Sequence, residues 1–195
     1  MKKRLIISSF LLSLVVSNSA LSIEANVWVY KVNPGQMNTA VDLFEEAIKM
    51  AEEADRNTVI AQQSFGKGGE FIYHWVDFYD SLEQKANDPY QADDFADFND
   101  KFYDSGAVST VRSYSMTLID DQLCNVNSVV SVYVWKPRPG KFSEVVESFK
   151  ASQAFFEKHG WEIDLWQENI GGRDNLQFVM CSASLAAQAN SFASL

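Results

Sequence analysis

Two aromatic pairs with the same spacing are the residues of this chain best suited to hold a small molecule. Trp28 and Tyr30 alternate with valines in one segment, and Tyr133 and Trp135 do so in another. Successive side chains of a strand point to opposite faces, so each pair marks one ring-bearing face. Such rings can stack on a planar ligand and offer N–H and O–H donors, or they can simply fill an interface between two parts of the protein.

His74 is the candidate for acid–base chemistry. It lies within Phe71–Phe78, an otherwise mostly apolar segment with the composition of a strand. A histidine there can act as a general base or proton shuttle, or it can be a hydrogen-bonded core residue. Gln177 occupies the matching position in the second half of the chain, which indicates a polar position shared by both halves.

Further ligand contacts are predicted at Trp75, next to His74, and at Arg112, which can bind an anion or pair with a neighbouring carboxylate. Metal motifs are missing, because neither the two histidines nor the two cysteines have zinc-binding spacing. The acidic residues of 93–100 lack the glycine and final glutamate of a calcium loop. The sequence therefore predicts no metal site and no cofactor.

The first 22 residues have the features of a secretory signal peptide. Lys2, Lys3 and Arg4 precede an apolar run from Leu5 to Val16, and small residues stand before a cleavage position at Ile23. The run is shorter than the roughly 20 residues of a membrane span. We expect an exported protein, periplasmic or extracellular. Its net charge of −10 and scattered cations argue against nucleic acid as a partner.

The chain repeats one pattern of elements. Residues 26–35 and 131–140 share Val, Val, Lys, Pro and Gly at a constant spacing, and a helix-period segment follows each copy. Two strands around a glycine turn come next, and then another helix. This is the βαββαβ order of a ferredoxin-like α+β sandwich. The sequence predicts two tandem units, at 23–119 and 129–195, joined by a linker at 120–128.

The second unit has no counterpart to the last helix and closing strand of the first. The sequence is then either a fragment, the interpretation we favour, or a chain whose open strand edge another chain covers. In this arrangement the valine faces are expected to pack on the helices, and the ring-bearing faces to meet each other. Cys124 and Cys181 fall near the ends of neighbouring strands, so export predicts a disulfide between them.

The segments Val29-Tyr-Lys-Val-Asn-Pro-Gly35 and Val134-Trp-Lys-Pro-Arg-Pro-Gly140 resemble the opening of proteins in the dimeric α/β-barrel superfamily, in particular its antibiotic-biosynthesis-monooxygenase-like and NIPSNAP-like members. The resemblance implies that two units pair their sheets into a barrel with a cavity. It also implies a choice among cofactor-free oxygenases and haem proteins. The haem degraders use an Asn, a Trp and a helix-borne His; Asn26 and Trp75 are present, but His74 is predicted on a strand.

Three functions remain open. The first is an exported protein that binds a small aromatic or hydrophobic molecule between its sheets. The second is a cofactor-independent monooxygenase acting on an aromatic substrate, with His74 or Tyr30 as the general base. The third is an interaction module, for example a homodimer, in which the open edge pairs with a partner strand.

Overall fold

A computed structural model describes residues 23–66, 69–88, 93–119, 123–124 and 129–195, without the side chains of 93 and 94. The predicted signal peptide at 1–22 and most of the predicted linker at 120–128 therefore lie outside the described residues. The strands are β1 (Glu24–Val32), β2 (Asn57–Gln62), β3 (Ile72–Tyr79), β4 (Val108–Leu118), β5 (Val129–Trp135), β6 (Glu162–Glu168) and β7 (Leu176–Ser182). The helices are α1 (Met37–Glu53), α2 (Leu82–Ala86), α3 (Asp93–Asp104), α4 (Phe142–Lys158) and α5 (Leu185–Ala193).

Within the described residues the strands form one seven-stranded sheet in the order β2-β3-β1-β4-β6-β7-β5, and every pairing is antiparallel. The first four strands and the last three join through a short ladder between Met116–Leu118 and Trp166–Glu168. The α+β class predicted from sequence is confirmed. The origin of the halves by tandem duplication and the truncation of the second half stay predictions.

The sheet is strongly curled. Phe78 on β3 and Trp166 on β6 are separated in the sheet by β1 and β4, yet their ring centroids lie 5.9 Å apart. In a flat sheet, three strand spacings would hold them roughly 14 Å apart. The face that carries these rings is therefore concave, and the helices lie on the other side.

The two faces of the sheet carry different cores. The concave core contains Val27 and Val29 of β1 with residues of β3, β4, β6 and β7. On the helix side, Tyr30 packs with residues of α1 and α3 such as Phe44 and Phe102. The orientation predicted from sequence is therefore wrong, because the rings face the helices and the valines face the interior. The rings of Trp28 and Tyr30 fill the space between the sheet and the helices, whereas the valines of β1 share the concave core with the larger rings of Phe78, Tyr114 and Trp166.

The hairpin turn between β6 and β7, predicted from Gly171-Gly172, is anchored to β4. Ser115 N–H donates to the carbonyl of Ile170 at 2.9 Å, and Asn169 N–H donates to the carbonyl of Ser115 at 2.8 Å. Gly171 has φ +74°, and a Cβ there would lie 2.6 Å from the Ser113 carbonyl oxygen. Only glycine permits this close approach, which brings the end of β6 beside β4.

The predicted disulfide is confirmed. Cys124 and Cys181 are bonded, with their Cα atoms 6.0 Å apart, and both sulfurs belong to the concave core. Cys124 N–H also donates to Asp164 Oδ1 at 2.8 Å, which fixes the described part of the linker on β6. Among the described residues, no helix combines the length and the apolarity needed to cross a membrane.

Candidate functional site

A basic side chain and a histidine flank one small valine on the concave face. Val29 on β1 pairs with His74 of β3 on one side and with Arg112 of β4 on the other. The register between β1 and β4 shifts directly after this position, so Val111 is an extra, half-exposed residue in β4. Bulges re-aim neighbouring side chains and are frequent beside active sites. His74, Val29 and Arg112 lie side by side across β3, β1 and β4, and we call this row, with its two polar ends, the polar belt.

The guanidinium of Arg112 is fixed by contacts with the protein and is partly exposed to solvent. Its Nη2 donates to Glu168 Oε2 at 3.0 Å, and its guanidinium carbon lies 3.9 Å from the ring centroid of Tyr114. The side chain is nevertheless 30% exposed, whereas that of Glu168 is completely buried. The sequence left open whether Arg112 binds an anion or pairs with a neighbouring carboxylate, and the structure contains the pair with Glu168. The exposed remainder of the guanidinium keeps donors for an anionic or carbonyl oxygen.

Glu168 fixes the position of Arg112 and accepts hydrogen bonds from several other donors. Its Oε2 also accepts from Arg173 N–H and from Asn175 Nδ2, each at 3.0 Å, and its Oε1 accepts from Gln177 Nε2 at 2.8 Å. Burial alone would raise the pKa of Glu168, but the hydrogen bonds from Arg173, Gln177 and Arg112 outweigh it and lower the pKa below its ordinary value. The carboxylate is therefore charged, as a partner of Arg112 must be.

His74 is partly buried beside this cation. Its Nε2 lies 3.3 Å from Gln63 Oε1. An amide oxygen only accepts, so this contact assigns the ring proton to Nε2 and leaves Nδ1 as an acceptor. Burial, and then the nearby positive charge of Arg112, lower the pKa of His74. The imidazole is thus neutral at neutral pH, which is the form that can take up a proton.

This environment predicts a specific pH dependence of stability. Because the folded-state pKa of His74 is lowered, the unfolded chain binds the proton first as the pH falls below about 6.5, and the free energy of unfolding decreases. Replacing His74→Asn should remove that component, so the wild-type protein loses more stability between about pH 6.5 and pH 5 than the variant does. Urea unfolding at a series of pH values measures the difference, with His159→Asn as the matched control. Parallel curves for wild type and His74→Asn would contradict the assignment.

The predicted aromatic ligand contacts do not gather at this belt. Tyr30 and Trp75 are buried on the helix side, 4% and 5% exposed, and Trp28 packs beside them. Tyr30 O–H and Tyr103 O–H lie 3.2 Å apart, and Trp75 Nε1 donates to Asp77 Oδ1 at 3.0 Å. These three residues belong to the packing between sheet and helices, and a ligand role for them stays a prediction.

Tyr133 and Trp135 also lie on the helix-facing side of the sheet, but they are 43% and 53% exposed. The Trp135 ring contacts Phe149 of α4 at 5.8 Å between centroids. Trp135 borders a surface groove of about 340 Å³ at the start of α4, and a second groove of about 470 Å³ lies between α1 and the β2–β3 pair. Neither groove includes His74 or Arg112, so we place the candidate site by its chemistry rather than by groove volume.

A second buried polar cluster lies on the helix side. Asp77 accepts from Thr58 Oγ1 at 2.6 Å and lies 3.5 Å from Arg56 Nη2, which also contacts Asp88 Oδ2 at 2.9 Å. Burial raises the pKa of Asp77 above its ordinary value although the Thr58 hydrogen bond and Arg56 oppose this. Asp77 is 1% exposed. The cluster ties the end of α2 to the sheet and offers a ligand no access through Asp77.

Sequence reasoning missed the residues that hold Arg112. Glu168, Asn175 and Tyr114 were not singled out, although an acidic residue at the end of the mostly buried strand β6 was a usable signal. The matching sequence positions of His74 and Gln177 did indicate a polar position shared by both halves of the chain. Gln177 lies on the same concave face and donates to Tyr114 O–H at 3.1 Å as well as to Glu168.

The residues present do not fit the haem site that the resemblance describes. That site needs a helix-borne histidine, whereas His74 lies on β3, and His159 directly follows α4 with its Nδ1 2.9 Å from Ser194 Oγ. No cluster of three or more metal-binding side chains occurs in the part of the chain that the structure describes.

Several solved structures share this fold. A proposed monooxygenase from Fusobacterium nucleatum subsp. nucleatum matches with a TM-score of 0.66 and 11% identity over 89% of this chain and 82% of its own. An anthrone oxidase-like protein matches with a TM-score of 0.55 and 12% identity over 88% and 77%. A proposed monooxygenase from Lactobacillus acidophilus matches with a TM-score of 0.56 and 13% identity over 87% and 81%. At these identities the likeness shows the fold alone. No family model and no curated protein matches the chain.

Proposed function

We propose that this chain is an exported protein that binds a small, planar aromatic molecule on the concave face of its sheet, at the polar belt. The observation that carries the proposal is the placement of His74 and Arg112 on either side of Val29. Two strand spacings put their Cα atoms about 10 Å apart, so both side chains can reach one ligand that lies over the valine. Export is supported by the signal-like first 22 residues and by the disulfide.

The polar groups suit a ligand with an acidic C–H or O–H group next to a carbonyl. Arg112 offers a fixed positive charge to the carbonyl oxygen, and His74 offers an acceptor nitrogen to the proton. The other polar groups of this face, such as Glu168 and Gln177, are buried and hydrogen-bonded to each other, so they do not compete for the ligand. A hydrophobic surface with a small number of placed polar groups is the usual composition of a small-molecule site.

A second function, cofactor-independent oxygenation, follows from the same geometry if the ligand reacts. The neutral His74 would take a proton from the activated carbon, and Arg112 would stabilise the negative charge that develops on the carbonyl oxygen. The electron-rich carbon then reduces molecular oxygen. For an activated CH₂ group the reaction balances as CH₂ plus O₂ giving C=O plus H₂O. The oxygenase-like structural neighbours support this candidate.

Anthrone is a suitable probe because it contains such a CH₂ group opposite a ketone. Titration under argon, followed by tryptophan fluorescence, measures binding without reaction. Arg112→Gln is expected to raise the dissociation constant at least about tenfold, corresponding to about 1.4 kcal/mol. Arg138→Gln, an exposed arginine away from the belt, is the matched control. Absence of saturable binding, or equal binding by both variants, would overturn the binding proposal.

Admitting air to the same samples tests catalysis separately. Oxygen consumption should match formation of the quinone one to one, and His74→Asn should lower the turnover rate about a hundredfold. His159→Asn removes the other histidine and should leave the rate unchanged. Saturable binding with no turnover would support the binding function and reject the oxygenase. Turnover that is unaffected by His74→Asn would reject His74 as the base.

A further inference from the structure

Lys31 is a cation on the concave face that the proposed function does not use. It lies on β1 two residues beyond Val29, so its side chain points to the same face of the sheet. The register agrees, because Lys31 pairs with Ile72 of β3, and Ile72 belongs to the concave core. Two residues of a strand span about 7 Å. Lys31 is therefore the next residue on this face along β1 from the polar belt, and it is exposed.

The neighbours of Lys31 do not neutralise its charge. Ile72 stands on one side of it, and on the other side stands Ser109 of β4, whose Oγ donates to Asn33 Oδ1 at 2.9 Å. Within the residues that the structure describes, Lys31 has no ion pair and no side-chain hydrogen bond. Its ammonium group is thus available to a ligand.

The concave face around Lys31 is basic although the chain is acidic. The chain has 26 acidic and 16 basic residues, yet the positions that β1 to β4 present to the concave face include no Asp or Glu. The acidic residues that β6 places on this face are Glu168, which is bound to Arg112, and Asp164 and Glu162, which lie toward the opposite end of that strand. Because Glu168 neutralises Arg112, Lys31 supplies the net positive charge beside the polar belt.

We propose that Lys31 binds an acidic group of the ligand held at the polar belt, so that the site selects planar aromatic molecules that carry a carboxylate. This rests on the proposed function and adds the class of ligand to it. The carbonyl oxygen of such a molecule lies at Arg112, and its carboxylate lies about 7 Å farther along β1, where it accepts hydrogen bonds from the ammonium of Lys31. A molecule of two or three fused rings is long enough to carry both groups.

The selectivity follows from the different environments of the two cations. Arg112 already has a buried counter-ion, so a neutral carbonyl oxygen can bind it without leaving a charge unpaired. An aromatic ligand beside Lys31 displaces water from the ammonium, and this costs free energy unless the ligand itself supplies a negative charge. A neutral ligand of the same shape is therefore expected to bind less tightly.

Anthraquinone-2-carboxylate and anthraquinone-2-carboxamide test the proposal, because they share one ring system but differ in charge, and neither contains a CH₂ group that could be oxidised. In titrations followed by tryptophan fluorescence, wild type should bind the carboxylate at least about fivefold more tightly than the carboxamide at low salt. The preference should decrease as salt is added. Lys31→Gln should abolish it, and Lys31→Arg should keep it because the charge remains. Lys150→Gln, an exposed lysine on α4 and thus on the other side of the sheet, is the matched control and should behave like wild type.

Failure of Lys31 and failure of the proposed site give different results. If anthrone binds but wild type does not prefer the carboxylate, or if the preference survives Lys31→Gln, the role of Lys31 is overturned and the polar belt stands. An equal loss of preference in Lys31→Gln and Lys150→Gln would also overturn it, since this would show attraction by the overall charge. If neither anthrone nor the two anthraquinones bind, the proposed function is rejected and the role of Lys31 with it.

Discussion

Removal of the disulfide is expected to lower the free energy of unfolding by about 4 kcal/mol. Cys124 and Cys181 are 57 residues apart in sequence, and a cross-link restricts the unfolded chain over that whole loop. The bridge also fixes the described part of the linker to β7, in the concave core. Because the chain has 195 residues, a loss of this size should lower the midpoint of thermal unfolding by roughly 10 °C.

The measurement is urea unfolding of the wild type, of the wild type under reducing conditions, and of the Cys124→Ala/Cys181→Ala double variant. Reduction isolates the cross-link, since the double variant also removes two buried sulfur atoms. Reductant should have no further effect on the double variant. A change below about 1 kcal/mol on reduction would show that the unfolded chain is already restricted without the bridge.

Replacing Glu168→Leu is expected to lower the free energy of unfolding by about 3 kcal/mol. The carboxylate is completely buried and accepts from Arg112, Arg173 N–H, Asn175 and Gln177, so its loss leaves buried donors without an acceptor. The estimate is at the low end of the range for broken buried pairs, because Arg112 is 30% exposed and can turn to water. Glu147→Gln, an exposed glutamate on α4, is the control for loss of an acidic side chain.

Glu168→Gln separates the charge from the shape and gives a pH dependence. The folded-state pKa of Glu168 is lowered, so its stabilising contribution is complete above the unfolded pKa of about 4.3 and disappears as the pH falls through the folded value. The stability difference between wild type and Glu168→Gln should therefore be constant near neutral pH and shrink below about pH 4. A difference that does not change with pH would show that shape alone matters at this position.

The same pair of variants bears on the site. If Glu168 positions Arg112, Glu168→Gln should weaken anthrone binding in the same direction as Arg112→Gln, although Glu168 is too deeply buried to touch a ligand on the concave face. Unchanged binding with reduced stability would limit Glu168 to a structural role.

Short-range patterns determined a large part of the fold. Alternation of Val with Trp or Tyr gave β1 and β5, the Pro-Gly turns and helical periodicity gave α1 and α4, and Gly171 gave the β6–β7 turn. Each of these signals depends on a few neighbouring residues and on backbone geometry that the residue type restricts. The proximity of Cys124 and Cys181 also followed, since strand order places their neighbours together.

The tertiary structure alone decided which face of the sheet is inside and which residues meet there. Alternation shows that Val29 and Tyr30 point to opposite faces of the sheet. It does not show which face becomes concave, so it cannot show that the sheet curls toward its valines. Curling joined β4 to β6, and that contact brought Arg112 to Glu168, 56 residues away in sequence. No local pattern encodes such a pair, because its energy comes from burial and hydrogen bonds that exist only after the two halves of the sheet have joined.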